Sequence, residues 1–267
     1  MNWPLVLYPL PALRIRAHRL PSAAVWYLFY SMVKEGYYFG IPPLVAGVLL
    51  YFLHWTPAAA IFFLLGVFCF SFFRDPERVI PADPGAVVSP ADGRVMVVTD
   101  ELRAGRPGKR ISIFLAVWNV HVNRSPVAGT ITALDYQPGK FLAAMRAAAS
   151  AENEQNIFTI ATNEGPANRG EIVCKQIAGY VARRVVAWKK AGDTVARGER
   201  IGLVRFGSRA DVWLPADSRV VVKLGDHVTG GSSILAFLPV QSMGLSDHHA
   251  APARAETNLM TAGLPKT

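Results

Sequence analysis

A chain of 267 residues can bury a full hydrophobic core, as one domain or as one domain with an anchor. At 51% hydrophobic it is rich for a soluble protein, so a membrane segment is the first thing to seek. The formal net charge of +9 suits an anionic partner, and a lipid surface fits better than nucleic acid, because no dense Lys/Arg run with interleaved aromatics and no nucleic-acid-binding motif is present.

Residues 1–35 form a basic segment in which Arg14, Arg16, Arg19 and Lys34 face one acid, Glu35. No small-residue cleavage site follows a short apolar core, so a removable signal peptide is not expected. Two apolar runs follow, at 36–53 and 58–73, parted only by His54-Trp55-Thr56-Pro57. A spanning helix needs roughly 20 residues, so the first run is about long enough and the second is marginal. Together they predict a membrane hairpin over 36–73. Basic residues flank its outer ends and none lies in the turn, which places both ends on the cytoplasmic side of the inner membrane.

From residue 74 the texture changes to short β-rich segments broken by Gly, Pro and Asp. Strands are predicted at 86–88 and 94–98, flanking Ser89-Pro90-Ala91-Asp92-Gly93 as a hairpin, and at 111–118, which leads into Asn119-Val120-His121-Val122-Asn123-Arg124-Ser125-Pro126. A helix is predicted over 141–154 and further strands at 157–162, 171–177 and 181–188. The segment 192–201 recurs 33 residues later at 225–234, each copy reading G-D-x-V-x-x-G-x-x-I. Such tight-turned β units occur in barrel-sandwich folds. The fold class expected is therefore mainly β (α+β), a barrel-sandwich-like body with one or two helices behind an N-terminal hydrophobic helical hairpin.

Between the copies, residues 204–213 read as a strand interrupted by Gly207-Ser208 and flanked by Arg205 and Arg209. Glycine in a strand marks a bulge or a close approach of backbone. A second Gly-Ser pair, Gly231-Ser232 followed by Ser233, falls on the ordinary turn glycine of the repeat, so its serines read as structural. Cys69 and Cys174 read as reduced packing residues, and His248 and His249 as solvated; no metal is expected. The tail 241–267 lacks periodicity and is expected to be disordered.

These motifs, in this order, resemble the short bacterial phosphatidylserine decarboxylases. The resemblance rests on Lys34-Glu35-Gly36-Tyr37, on 72–78, on 89–93, on 119–126, on Gln176-Ile177-Ala178-Gly179, on 181–184 and on Arg205-Phe206-Gly207-Ser208-Arg209, and it covers roughly residues 34 to 238. It implies a decarboxylase domain over 74–240 that cuts itself between Gly207 and Ser208. The products would be a large chain 1–207 and a small chain 208–267 held as a heterodimer, with Ser208 converted to a covalently bound pyruvoyl group (pyruvate) as cofactor. It also implies phosphatidylserine in the membrane as substrate, and the sequence is compatible with a higher oligomer. Longer relatives use an Asp-His-Ser set for self-cleavage. Here the Asp position is Asp92 and the first histidine position is His121, but Arg124 stands where those relatives carry a second histidine. The base is His121, paired with Asp92, or else Asp92 acting through a water.

The chemistry explains why such residues are needed. Decarboxylating an amino acid leaves a carbanion, and no standard side chain offers a ketone to absorb it. Making one from Ser208 requires a base near its hydroxyl and donors for the oxyanion; a neutral histidine fits the first need. Arg205, Arg209 and Arg124 are candidates to hold the substrate carboxylate or phosphate. Two other readings are an archaetidylserine-type lipid decarboxylase and a non-enzymatic, membrane-anchored adaptor or carrier module. Against the last, neither repeat turn carries a modifiable lysine.

Overall fold

The computed structural model describes residues 32–162, 171–180, 184–205 and 207–239. The basic segment up to residue 31, residues 181–183 of the strand predicted at 181–188, Phe206 and the tail from 241 to 267 lie outside the described residues.

Helix α1 spans Lys34–Phe52 and helix α2 spans Thr56–Phe72, with Pro57 in the first turn of α2, where no intrahelical bond is lost. Small residues line the seam between them: Gly40 lies against the Phe70 ring and Gly66 against Leu44. The outer surface is apolar as well, and Tyr38, Leu49, Phe52, Trp55, Ile61 and Leu64 are all more than half exposed. Neither helix therefore has a polar side, a pattern at home in lipid or in a large core. The hairpin expected over 36–73 forms, and although its first run looked about long enough to span, no helix among the described residues is long and apolar enough to cross a membrane. At the foot of the hairpin Val33, Phe72 and Phe73 pack on Val120, Val122 and Leu203 of the β body.

The strands are numbered along the chain. The large sheet is antiparallel throughout and runs, in space, β13 (His227–Val228), β2 (Gly93–Arg103), β3 (Arg106–Leu115), β11 (Ser208–Pro215), β7 (Glu171–Ala178), β6 (Gln155–Thr162), β5 (Gly129–Gln137), β9 (Thr194–Val195). Two small sheets accompany it, β1 (Ala86–Val88) with β14 (Ile234–Phe237) and β12 (Arg219–Val220), and β4 (Val122–Arg124) with β10 (Arg200–Val204) and β8 (Val185–Ala187). Val87 and Ala236 of the first small sheet join Ile111, Phe158 and Val212 of the large sheet in one buried cluster. Each such large side chain contributes roughly 1.5–3 kcal/mol on burial. This is the mainly β, sandwich-like body the sequence predicts.

The large sheet is nearly symmetric about its central β11–β7 pair. Each central strand is followed outward by a hairpin and then by a two-residue strand from one repeat turn. The repeat turns match in detail. Gly192 and Gly225 have φ of +92° and +93°, and Gly198 and Gly231 have +74° and +78°. The Asp193 and Asp226 carboxylates each accept a backbone N–H at 2.9 Å, from Lys190 and Lys223. Cys69 and Cys174 are free and buried, and burial pushes the Cys174 thiol up to about 12.

Two local expectations fail. Strand β1 pairs with β14 whereas β2 pairs with β3, so 89–93 is a crossover between sheets and not a hairpin turn. The helix predicted over 141–154 is reduced to one turn, α3 (Ala149–Glu152). The Asn153 side chain accepts the Leu142 N–H at 2.9 Å and donates to the Leu142 carbonyl at 2.8 Å, which fixes the chain before α3 in a non-helical path. An alanine-rich segment without an apolar stripe to pack has little to set against those bonds.

Candidate active site

Ser208 is the first residue of β11 and lies in register between Leu115 of β3 and Ala178 of β7. It is fully buried, and its hydroxyl has no hydrogen-bond partner. An unsatisfied buried hydroxyl costs roughly 1–3 kcal/mol, so its presence asks for a chemical explanation. Gly207, just before it, has φ of +72°, a conformation that favours glycine. A methyl group on Gly179 would stand 2.2 Å from the Gly207 oxygen, so the end of β7 lies directly on the carbonyl that precedes Ser208. Only a glycine permits that approach.

His121 closes the loop that joins β3 to β4. Its Nδ1 is 2.9 Å from the Asn119 carbonyl oxygen, which makes Nδ1 the protonated nitrogen and the donor. Nε2 is thereby left with its lone pair, and it accepts the Gly207 N–H at 3.2 Å. Loop geometry is held at both sides, since the Asn119 side chain accepts the Ala116 N–H and Arg74 donates to the Trp118 carbonyl at 2.7 Å. The ring is fully buried and packs on Phe72, with centroids 4.2 Å apart. Burial, aided by the Arg74 charge, pulls its pKa from the usual 6.5 down to about 4, although the Asn119 carbonyl acts in the opposite sense. His121 is therefore neutral at physiological pH, in the tautomer that presents a base to the Gly207-Ser208 peptide.

The other sequence candidates fall elsewhere. The Asp92 carboxylate accepts the Gly230 N–H at 2.7 Å and pairs with Arg78 at 2.9 Å, tying the crossover to the second repeat turn. The expected Asp92–His121 pair is thus not formed; the backbone carbonyl of Asn119 takes the orienting role instead. Arg124 is buried and paired with Asp75 at 2.8 Å, while it also donates to the carbonyls of Gly198 and Pro76. Arg209 is 1% exposed, on the opposite side of β11 from Ser208, and its guanidinium is held by Asp211 and Ser112. Neither arginine presents a free cation to a lipid headgroup. Arg205 differs: it is half-buried two residues before Gly207, with its guanidinium 5.1 Å over the Phe39 ring. In the rival pair, Gly231 donates to the Ser89 carbonyl and Ser233 Oγ accepts the Thr229 N–H, an ordinary saturated turn.

Beside the loop opens a largely apolar cavity of about 530 Å³, lined by Phe114, Trp118, Asn119, Met145 and Leu224, with Arg94 at its wall. It shares Asn119 with the histidine. Sequence reasoning did not assign roles to Asn119, Gly179 or Phe72. Gly179 carried a signal, as the last residue of the quoted Gln176–Gly179 motif. Asn119 acts through its backbone, which no residue type announces.

Comparison with known proteins converges on one family. The family model described as phosphatidylserine decarboxylase matches residues 65–236, a span that holds Asp92, His121, Arg124 and the whole 205–209 segment. A protein of Symbiobacterium thermophilum is 45% identical over 211 residues, covering 78% of this chain and 96% of that relative. One of Solibacter usitatus is 46% identical over 77% of this chain and 96% of its own length. One of Burkholderia ambifaria is 49% identical over 66% of this chain and 82% of its own. All three are named phosphatidylserine decarboxylase proenzyme.

Proposed function

The chain belongs to the phosphatidylserine decarboxylase family, and from that premise we propose that it is a proenzyme that cuts itself between Gly207 and Ser208, converts Ser208 to a pyruvoyl group and then decarboxylates phosphatidylserine to phosphatidylethanolamine and carbon dioxide. One observation carries the assignment of the cut. The buried, unpartnered Ser208 hydroxyl follows the glycine whose N–H rests on the lone pair of a neutral histidine.

Cleavage follows from these residues. When His121 Nε2 exchanges the Gly207 N–H for the Ser208 hydroxyl one residue on, it takes the hydroxyl proton as Oγ attacks the Gly207 carbonyl carbon. The Oγ–C bond forms, the C–N bond breaks, and the proton passes to the departing Ser208 amine, leaving an ester. Loss of the Ser208 Cα proton then expels the Gly207 carboxylate, and water replaces the nitrogen to leave the ketone and ammonia. The site fits this product, since the position is dry, at a strand end, and has no other use for the hydroxyl. The pyruvoyl ketone supplies the electron sink that removal of carbon dioxide from an amino acid needs. His121 is placed to handle a proton at the same spot in the mature enzyme. Arg205 is the cation best placed for the acidic headgroup, and the neighbouring cavity suits the glycerol and the start of the acyl chains.

The hairpin seats this site at a membrane. Its two feet lie on the body, its apolar surface is exposed on every side, and both ends carry basic residues, which supports insertion from the cytoplasmic face with the Phe52–Trp55 tip leading. A hairpin of that length enters the bilayer without having to cross it.

Intact mass and a denaturing gel of the purified protein test the reading. Two chains are expected, the smaller one blocked to N-terminal sequencing. A folded protein that stays in one piece with an unmodified Ser208 would overturn it.

A further inference from the structure

We infer that the foot of the hydrophobic hairpin is a working wall of the self-cleavage site, with Phe72 as a positioning residue for the His121 imidazole. The inference rests on the assignment of His121 and of the Gly207–Ser208 cut given above. It assigns the anchor a chemical role beyond holding the enzyme on a membrane.

A closed circuit of contacts carries it. From the loop that bears the cut, the Arg205 guanidinium lies over the Phe39 ring of α1. Phe39 stacks on Phe73 with centroids 5.4 Å apart and planes within 12°. Phe73 meets Phe72 edge-on at 5.0 Å, and Phe72 lies 4.2 Å from the His121 ring. His121 then returns to the loop through the Gly207 N–H. Among the described residues, this chain of ring contacts joins the cut to the base by way of the hairpin, outside the β body. The foot is itself clamped: Val33 N–H donates to the Phe73 carbonyl, and Arg74 bonds both the Ser71 and the Trp118 carbonyls. Trp118 precedes Asn119, the residue that fixes the histidine tautomer.

The physical consequence is specific. Phe72 and His121 are buried together, and removing the ring would open the imidazole to water from the hairpin side. Of the charged groups on the packed elements, Arg74 at the helix foot acts on the ring, Arg205 lies over Phe39, Arg124 and Arg200 are paired with Asp75, and α1 begins with Lys34 and Glu35. No acid among the described residues forms an ion pair with the ring. Burial is then the main force keeping His121 unprotonated, in keeping with its low pKa.

The test is a time course of self-cleavage of the full chain, synthesised cell-free into detergent micelles, shifted to buffers from pH 5 to 8.5 and followed on denaturing gels. Wild type is expected to cleave at an even rate across that range. Phe72→Ala is expected to move the acid midpoint up toward 6.5, so that at pH 5.5 it runs about tenfold below its own rate at high pH. Phe72→Leu, which restores apolar cover, should return the wild-type profile. Should Phe72→Ala fail to fold, Phe72→Val leaves a smaller gap and should give an intermediate midpoint. Phe72→Ala (or Phe72→Val in its place) that cleaves like wild type at every pH, or that slows equally at all pH values with its midpoint unmoved, overturns the inference and leaves the function standing. Wild type that never cuts at 207, or His121→Gln that cuts at full speed, overturns the function instead.

Discussion

The chain contains two Gly-Ser pairs whose glycines share nearly the same backbone, φ of +72° at Gly207 and +78° at Gly231. What separates them is satisfaction. Around Gly231 the backbone and the serine side chains close a turn: Gly231 N–H reaches Ser89, Ser232 and Ser233 N–H groups reach the Thr229 carbonyl, and Ser233 Oγ takes the Thr229 N–H. At Gly207 the serine hydroxyl has nothing to bond, and a neutral imidazole waits one residue away. A left-handed glycine before a serine is thus only a turn. It becomes a candidate for chemistry when the hydroxyl is dry, unpaired and beside a base.

Several substitutions would break or sharpen that contrast. The largest effect is expected of Ser208→Ala, which should leave a single uncut chain with no carbon dioxide release, while Ser232→Ala should cut at the wild-type rate; a gel and a release assay on both variants read it. Next comes His121→Gln, which removes the base but can keep the bond from Gly207. General-base loss of this kind slows a step by roughly 10²–10⁴, to be measured as the half-time of cleavage. Gly179→Ala should rank third, because its methyl group would collide with the Gly207 oxygen and must displace the carbonyl that Ser208 attacks. Its mark is slow cleavage together with a lowered melting temperature, because the atoms that must move are backbone. Gly207→Ala meets no atom within 4 Å, so its cost is only the backbone strain of roughly 1–2 kcal/mol at a positive φ. Cleavage there should be slowed modestly, and rapid cleavage by Gly179→Ala with arrest in Gly207→Ala would reverse the ranking.

A last effect falls on stability and leaves cleavage aside. The His121 pKa is lower folded than unfolded, so its contribution is whole above about 6.5 and is lost as the pH falls toward 4, where the unfolded chain takes a proton that the native one refuses. The loss is on the order of 3 kcal/mol. It should appear as a steeper fall in melting temperature between pH 7 and 4.5 for Ser208→Ala than for the Ser208→Ala, His121→Leu double variant, both of which stay uncut.

How much of this was legible in the sequence depended on how local the cause was. The G-D-x-V-x-x-G turns came through because each aspartate caps its own turn three residues away. Gly207-Ser208 stood out because it fell between the copies without a counterpart. The crossover at 89–93 was misread as a hairpin because Asp92, an ordinary turn residue, spends its carboxylate on Gly230, 138 positions later. Arg124 looked like a lipid clamp because its acid, Asp75, lies 49 positions away, whereas for Arg209 the acid Asp211 is two residues on in the same strand and what the sequence hides is the burial of that face. The orienting group of His121 was hidden most fully, since any residue at position 119 has a carbonyl.

The place of β11 in the sheet has one more consequence. A cut before Ser208 would not release a fragment, because the new chain supplies the strand that lies between β3 and β7, and further on it supplies β13 at the edge of the large sheet and β14, which pairs with β1 of the other chain and with β12. The two pieces are dovetailed, and parting them would mean drawing the middle plank out of the sheet. The proposed scission would therefore be a nick in a standing structure. It would free two chain ends at the reacting centre, and the lattice of strand pairs around them would keep the new terminus where the last bond of the old chain had been.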